Sequence, residues 1–334
     1  MSRAESARRI ADKNLVVGAI DDNMVYPVLV WAFSLHAAAS TPPHIVIGFL
    51  EGHLSERNRK VVGNVLAYLG IGHEFLELAS DTRFITQGHI SPTTFTKFLL
   101  ADQIAELNVW IDVDTVATEG WDSIFDSIAQ SQEEVKLVVA ERGNRGSGSS
   151  KKLQKPSDLV FNAGVLGWPA RPRLPWSEQL DSVEMTETQE QFLFNSLYAS
   201  HIAQVPETYN TLTYRRDHFR DTAPPFILHY AGAHKPWHMP RRFSPVCTSY
   251  RCPWSLWFDA EEDMLDAVAH SPLLDEVQEL KNLALTSGAI GKSRDYSGRK
   301  LLRTLQRMGI MGWVLVFAAK PFSRWIPRGT HPLH

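Results

Sequence analysis

Hydrophobic positions in the first 240 residues fall into short continuous runs separated by longer amphipathic stretches. Residues 14–20 and 44–50 are apolar with little alternation, the pattern of strands covered on both faces. Residues 27–39 and 55–69 carry helical spacing. Pro27 suits a first turn, Ser55 an N-cap, and Gly70 the position just past a helix end. Residues 74–78 alternate polar and apolar, which predicts a strand nearer the sheet edge. A helix is predicted over 93–107, a strand from 108 into two aspartates, and further strands over 136–140, 159–166 and 225–230. Thr186-Glu-Thr-Gln189 reads as a capping box opening a helix to about residue 199. Strands alternating with helices predict an α/β fold, a mostly parallel sheet with helices on both faces. No internal repeat is apparent.

Polar residues stand at the ends of these runs. Asp21, Asp22 and Asn23 follow the first strand at its carboxyl end, where open α/β sheets bind ligands. Asp112 and Asp114 leave the 108–111 run one residue apart. Read as a strand, they point to one face and repel unless a cation lies between them. Hard oxygen ligands suit magnesium, manganese or calcium, and a diphosphate is what such a cation would hold. A strand ending in a polar turn accounts for the same spacing. Asn162 and Gly164 interrupt the 159–166 run, and glycine there marks close approach of a ligand or another backbone. His229 ends the 225–230 run, before a loop that holds Gly232, Lys235 and further imidazoles.

Composition narrows the class without naming a chemistry. With 44% hydrophobic and 21% charged residues in 334, the chain is an ordinary globular protein of one large or two ordinary domains. Two cysteines, Cys247 and Cys252, provide no disulfide framework. Two free thiols are expected, with a bridge or half a metal site as the other readings. No apolar run approaches the length of a membrane span and the N-terminus lacks the apolar core of a signal peptide, so a cytoplasmic location is expected. Residues 141–156, rich in Gly, Ser and Lys, read as a loop, either a lid or a disordered excursion.

The net charge of −3 divides unevenly. Residues 291–334 hold nine Lys or Arg against Asp295, giving +8 and leaving −11 elsewhere. That basic segment carries the apolar stretch 309–319. It suits either a segment lying in the membrane interface, peripheral on the inner face, or a helix packed on the domain. No nucleic-acid module is recognisable.

Five blocks in order resemble glycosyltransferase family 8, particularly its bacterial lipopolysaccharide galactosyl- and glucosyltransferases. They are Ala19-Ile-Asp-Asp-Asn23, Ile90-Ser-Pro-Thr-Thr-Phe-Thr-Lys97, Trp110-Ile-Asp-Val-Asp114, Phe161-Asn-Ala-Gly-Val-Leu166 and His229-Tyr-Ala-Gly-Ala-His-Lys-Pro-Trp237. The resemblance spans residues 14–238. It implies a GT-A catalytic domain over 1–240, with 241–334 as a helical, basic extension, and retaining transfer of a hexose from UDP-galactose or UDP-glucose to a carbohydrate or lipid-linked acceptor. A self-glucosylating initiator like glycogenin, and a UDP-sugar-binding protein without transfer, are the alternatives.

Residue by residue, the resemblance implies Asp112, Asp114 and His229 as metal ligands. This set suits manganese better than magnesium because one ligand is nitrogen. It implies nucleotide-sugar contacts from Asp21, Asn23, Lys97, Asp112, Val113, Asn162, Ala163, Glu190, Gln191, Gly232 and Lys235, with Glu190 and Gln191 nearest the reaction. Gln191 falls on an amide beside the anomeric centre. Since a neutral amide is a poor nucleophile, front-side attack is the expected route. Three positions depart from the pattern: Met24 where an aromatic stacks on uracil, Phe192 for the second acid of Asp-Gln-Asp, and Glu190 for its first. Base affinity and the choice of hexose are the properties these bear on.

Overall fold

The computed structural model describes residues 14–84, 91–141, 161–180, 189–213, 225–232, 235–238 and 254–290. The 141–156 loop beyond Glu141, the two cysteines, Thr186 and the basic 291–334 segment lie outside them.

A seven-stranded sheet runs in the order β3-β2-β1-β4-β7-β6-β8. Its strands are β1 Leu15–Ala19, β2 His44–Leu50, β3 His73–Leu78, β4 Asn108–Ile111, β6 Leu137–Ala140, β7 Val165–Trp168 and β8 Ile202–Val205. Pairing is parallel except at β7, which runs antiparallel to both β4 and β6. The alternating β3 stands at the edge, as its pattern predicts. A smaller sheet, β5-β10-β9, joins β5 Thr115–Ala117, β10 Ile227–His229 and β9 Thr211–Leu212.

Side-chain alternation divides the core between the two faces of the large sheet. Val16, Val109 and Ile111 join one cluster, with Trp31 of helix α1 (Val25–Ala37) and the fully buried Trp121 and Trp257. Leu15, Val17 and Trp110 join the other, with Phe98 of α3 (Thr96–Gln103) and Phe194 and Tyr198 of α6 (Gln189–Tyr198). Each large apolar side chain removed from water this way contributes about 1.5–3 kcal/mol. Helix α2, Glu56–Tyr68, is capped by Ser55 and followed by Gly70 at φ +72°, as the sequence predicts. Asp22 belongs to this cap region, since its Oδ1 accepts from the Ser55 N–H and from Asn58 Nδ2, each at 2.9 Å. Two shorter helices, α4 (Ile124–Ala129) and α5 (Ser177–Leu180), complete this part of the chain.

Three predicted elements differ in extent. The 93–107 helix is a 3-10 turn, Pro92–Phe95, followed by α3, which stops at Gln103. The chain turns extended at Ile104, and the Arg173 guanidinium, 72 and 69 positions on, donates to the freed carbonyls of Ala101 and Ile104 at 3.2 and 3.0 Å. A local pattern cannot register that distant cap. The strand leading to the aspartates ends at Ile111, and Asp112, Val113 and Asp114 form a turn between the two sheets. Strand alternation therefore does not bring their carboxylates together. Asn162, Ala163 and Gly164 likewise precede the strand, because the Asn162 Oδ1 accepts from the Gly164 N–H at 3.0 Å and closes a turn.

Beyond residue 240, α7 (Ser255–Ala267) and α8 (Leu274–Ile290) pack on α1, with Trp257, Met264 and Val277 in the Trp31 cluster. Tyr26 donates to Glu261 at 2.5 Å, and Lys281 lies 3.2 Å from the other Glu261 oxygen. No helix among the described residues is long and apolar enough to cross a membrane.

Burial raises the tyrosine hydroxyls of this core. Tyr198 is pushed up to about 12, and Tyr26 and Tyr230 stand well above the usual 10. Because the folded-state values are raised, the stability they carry is complete below pH 10 and is lost as the pH climbs toward 12, at about 2 kcal/mol for Tyr198 alone. In an alkaline titration, the tyrosinate absorbance of these three residues should appear together with loss of the circular dichroism signal. Free titration of all eight tyrosines before unfolding would contradict their burial.

Candidate active site

The strand order reverses at β1, which has β2 on one side and β4 on the other. A crevice at the carboxyl ends of such a pair is the usual ligand position of open α/β sheets. Asp21 follows β1 and Asp112 follows β4.

Asp112, Asp114 and His229 offer ligand atoms that all lie within 4.8 Å of one another. Each is placed by a different device. The Asp112 N–H donates to Gly164 O at 2.8 Å, extending the β4–β7 ladder, and its Oδ1 accepts from the Trp110 indole at 2.8 Å. Asp114 is reached through the turn that the Thr115 hydroxyl closes on Asp112 O at 2.8 Å. His229 ends β10, paired with Thr115 on one side and Leu212 on the other, and its Nε2 stands 3.2 Å from Asp114 and 3.8 Å from Asp112. The imidazole is 3% exposed and lies over Gly164.

A Cβ on Gly164 would stand 2.3 Å from His229 Cε1, so only glycine leaves room for the ring. Gly164→Ala should displace the imidazole, cost about 1–3 kcal/mol of stability and weaken divalent-metal binding. Thermal melts and Mn2+ titration followed by electron paramagnetic resonance read both effects. Unchanged values in both would refute the packing of the ring on Gly164.

Two lysines balance the acids, Lys97 buried and Lys235 partly exposed. Lys97, 3% exposed, directs its ammonium to Glu190 Oε1 at 2.5 Å, Ala163 O at 2.9 Å and Asp112 Oδ1 at 3.1 Å, and lies 5.5 Å from the Trp110 ring centre. Burial works against its charge, but Asp112 and Glu190 outweigh it and hold the lysine above its ordinary value. Burial pushes the Glu190 carboxyl up, against the pull of Lys97. Lys235 donates to Asp114 Oδ2 and, at 2.8 Å, to Tyr230 O. Burial alone would raise Asp114, yet Lys235 and His229 hold it well below the usual carboxylate range. Three carboxylates against two ammoniums leave this cluster one charge negative with His229 neutral, a balance that suits a divalent cation together with an anionic ligand.

An amide network adjoins the cluster. Asn162 Nδ2 donates to Gln191 Oε1 at 2.9 Å, and Asn195 secures α6 to this turn by accepting from Phe161 N at 3.0 Å and donating to Phe161 O at 3.1 Å. Asn195 Nδ2 also donates to Gln191 O of its own helix at 2.8 Å. Asn210 links Asn162 to His229.

The structure thus brings Lys97, Asp112, Asp114, Asn162, Ala163, Glu190, Gln191, His229 and Lys235 together. Val113 is buried in the turn between the aspartates. Asp21 and Asn23 form a second group after β1, where Asp21 accepts from the Asn23 N–H at 2.9 Å and the Ser91 hydroxyl at 3.0 Å. Gly232 follows β10 at φ +95°, which favours glycine. Met24 is partly buried against the core. Trp110, Ser91, Asn195 and Asn210 were not singled out from the sequence. Trp110 and Ser91 lie inside the Trp110–Asp114 and Ile90–Lys97 blocks, whereas Asn195 and Asn210 carry no local signal.

A family model described as glycosyl transferase family 8 matches residues 171–240, the segment that supplies Glu190, Gln191, Asn210, His229, Gly232 and Lys235. Among solved structures, the chain is similar to the galactosyltransferase LgtC in complex with donor and acceptor sugar analogs. The identity is 22% and the TM-score 0.57, over 75% of this chain and 95% of that one. An active-site mutant of LgtC gives 20% and 0.56 over the same shares. The glycosyltransferase GlyE of Streptococcus pneumoniae TIGR4 gives 19% and 0.51, over 78% of this chain and 64% of that one. No curated protein sequence matches the chain. At these identities the shared property is the fold. The chain therefore has the GT-A glycosyltransferase fold, and its segment 171–240 matches the glycosyl transferase family 8 model.

Proposed function

We propose that the protein is a metal-dependent, retaining glycosyltransferase that moves a hexose, galactose or glucose, from a UDP-sugar to a hydroxyl of a glycan or glycolipid acceptor. The observation that carries this reading is the convergence of Asp112, Asp114 and the His229 imidazole within 4.8 Å, flanked by the buried ammonium of Lys97 and the partly buried ammonium of Lys235. The donor set fits a divalent cation. Two carboxylates supply hard oxygens and one imidazole supplies nitrogen, a mixture that favours manganese over magnesium. Bound there, such a cation supplies Lewis-acid neutralisation of charge on the departing diphosphate.

The chain's own residues do the rest. Lys235, held on Asp114 and Tyr230 O, is a mobile point charge that can pass to the diphosphate as the leaving oxygen gains charge. Glu190 and Asn162 offer hydrogen-bonding groups to the sugar hydroxyls, and Ala163 and Gly164 leave space for the ring. Asp21 and Asn23 present polar groups to the uridine. For retention, the acceptor oxygen bonds the anomeric carbon on the face from which the diphosphate leaves, and the hydroxyl proton passes to the departing phosphate oxygen. Acid groups in the cluster are committed to lysines, so a carboxylate double displacement is less favoured.

The test is UDP release from UDP-galactose and UDP-glucose with and without Mn2+, across sugar and lipid-linked acceptors, with the anomer of the product read by NMR. Metal-dependent release with an α-linked product is expected. Tight UDP binding with no release or donor hydrolysis would replace this reading with a binding protein. Mass added to the protein itself would indicate self-glucosylation.

A further inference from the structure

We propose that Asn210 is a positioning residue that sets which ring nitrogen of His229 carries the proton and, through Asn162, which end of the Gln191 amide faces the substrate. The proposal rests on the cation reading of the Asp112, Asp114 and His229 cluster and extends it to the hydrogen-bond chain behind that cluster. Asn210 is 5% exposed and ends the 3-10 turn Glu207–Asn210, directly before β9, whose Leu212 pairs with His229. Its Oδ1 lies 2.9 Å from His229 Nδ1, and its Nδ2 lies 2.9 Å from Asn162 Oδ1 and 3.3 Å from Asn162 O. Asn162 Nδ2 reaches Gln191 Oε1 at 2.9 Å.

Two anchors fix the polarity of this chain independently. At one end, a coordinating nitrogen must present a lone pair, so a His229 Nε2 that ligates the cation between the aspartates leaves the proton on Nδ1. That proton needs an acceptor, which makes Asn210 contribute its oxygen and directs its NH2 to Asn162. In the middle, the Gly164 backbone N–H can only donate, and it meets Asn162 Oδ1 at 3.0 Å. Asn162 therefore also turns its oxygen inward and its NH2 toward Gln191. Both anchors require the same orientation.

The consequence falls on Gln191. Its carbonyl oxygen is engaged as an acceptor, which lowers its availability as a nucleophile, and its NH2 is left to donate toward the sugar or the departing oxygen. Asn210 thus couples the geometry of a metal ligand to the chemistry of the amide beside the reacting carbon.

Nitrogen-15 NMR of the metal-free protein tests the first half. The parent should show His229 Nδ1 carrying a slowly exchanging, hydrogen-bonded proton, and Asn210→Leu should lose it. Mn2+ titration followed by electron paramagnetic resonance should show Asn210→Leu weakening binding about 10- to 100-fold. Asn210→Asp keeps the acceptor for Nδ1–H but turns a second oxygen toward Asn162. It should retain near-parental Mn2+ affinity while kcat with the UDP-sugar falls about tenfold or more, with little change in KM. A purely structural role predicts a lowered Tm with metal affinity and kcat moved alike in both variants, and that result overturns the proposal. So does a parent His229 with a bare Nδ1, or parental Mn2+ affinity in Asn210→Leu. A parent that binds no Mn2+ while its Nδ1 proton depends on Asn210 overturns the cation reading and leaves the hold on His229 supported.

Discussion

Asp114→Asn should reduce Mn2+-dependent UDP release by about a thousandfold while the protein stays folded. The substitution keeps shape and one acceptor oxygen but removes the charge that faces both Lys235 and His229. Charge stabilisation by a bound cation is worth several kcal/mol, and roughly 4 kcal/mol corresponds to three decades in rate. The fold should survive because the pair with Lys235 lies at the crevice, where the freed ammonium can reach water. Release rates at saturating donor across a range of Mn2+ concentrations, with a thermal melt as control, measure this. An intact Asp114→Asn protein with full metal-dependent turnover would remove the proposed function.

The second large effect is on stability. Lys97→Met should destabilise the fold by about 3–5 kcal/mol, because it leaves Glu190 and Asp112 without the cation that both face in a buried site. A fall in Tm of roughly 5–10 °C is expected. The double variant Lys97→Met with Glu190→Gln should recover much of that loss, since the uncompensated buried charge disappears with its partner. Neither variant should regain transfer. A Lys97→Met protein as stable as the parent would show that the ammonium is not the buried counter-ion described above.

Local chemistry made much of the fold legible. β1, β2 and α2 occupy nearly their predicted spans, because apolar runs, an N-cap serine and a glycine past the helix end act within a few residues. The elements that differ are those decided by distant partners. Arg173 ends α3 from beyond β7, and Gly164 meets the N–H of Asp112 as that chain leaves its strand. The site divides in the same way. Asp112 and Asp114 stood out as paired carboxylates on their spacing alone, but for the wrong geometric reason, since a turn and not strand alternation unites them. His229, Lys97 and Lys235 gained a role only through the ordered motifs. Asn210 sits in Glu207-Thr-Tyr-Asn210, a stretch with no feature that separates a hub from a surface turn.

The pairing of Thr115 with His229 also determines when the site can exist. Asp114 and His229 stand 115 positions apart in the chain (229 − 114). Joining them carries a loop-closure entropy on the order of 4 kcal/mol before any contact is gained. On a ribosome adding about 5–20 residues per second, the aspartates emerge on the order of ten seconds before the histidine and lysine that complete their surroundings. The large sheet can form its β1, β2 and β4 ladder in that interval, while the small sheet must wait for β10. Activity should therefore appear as the last step of folding during synthesis, and a nascent chain released before residue 225 should hold a nearly complete first layer of the sheet and no working centre.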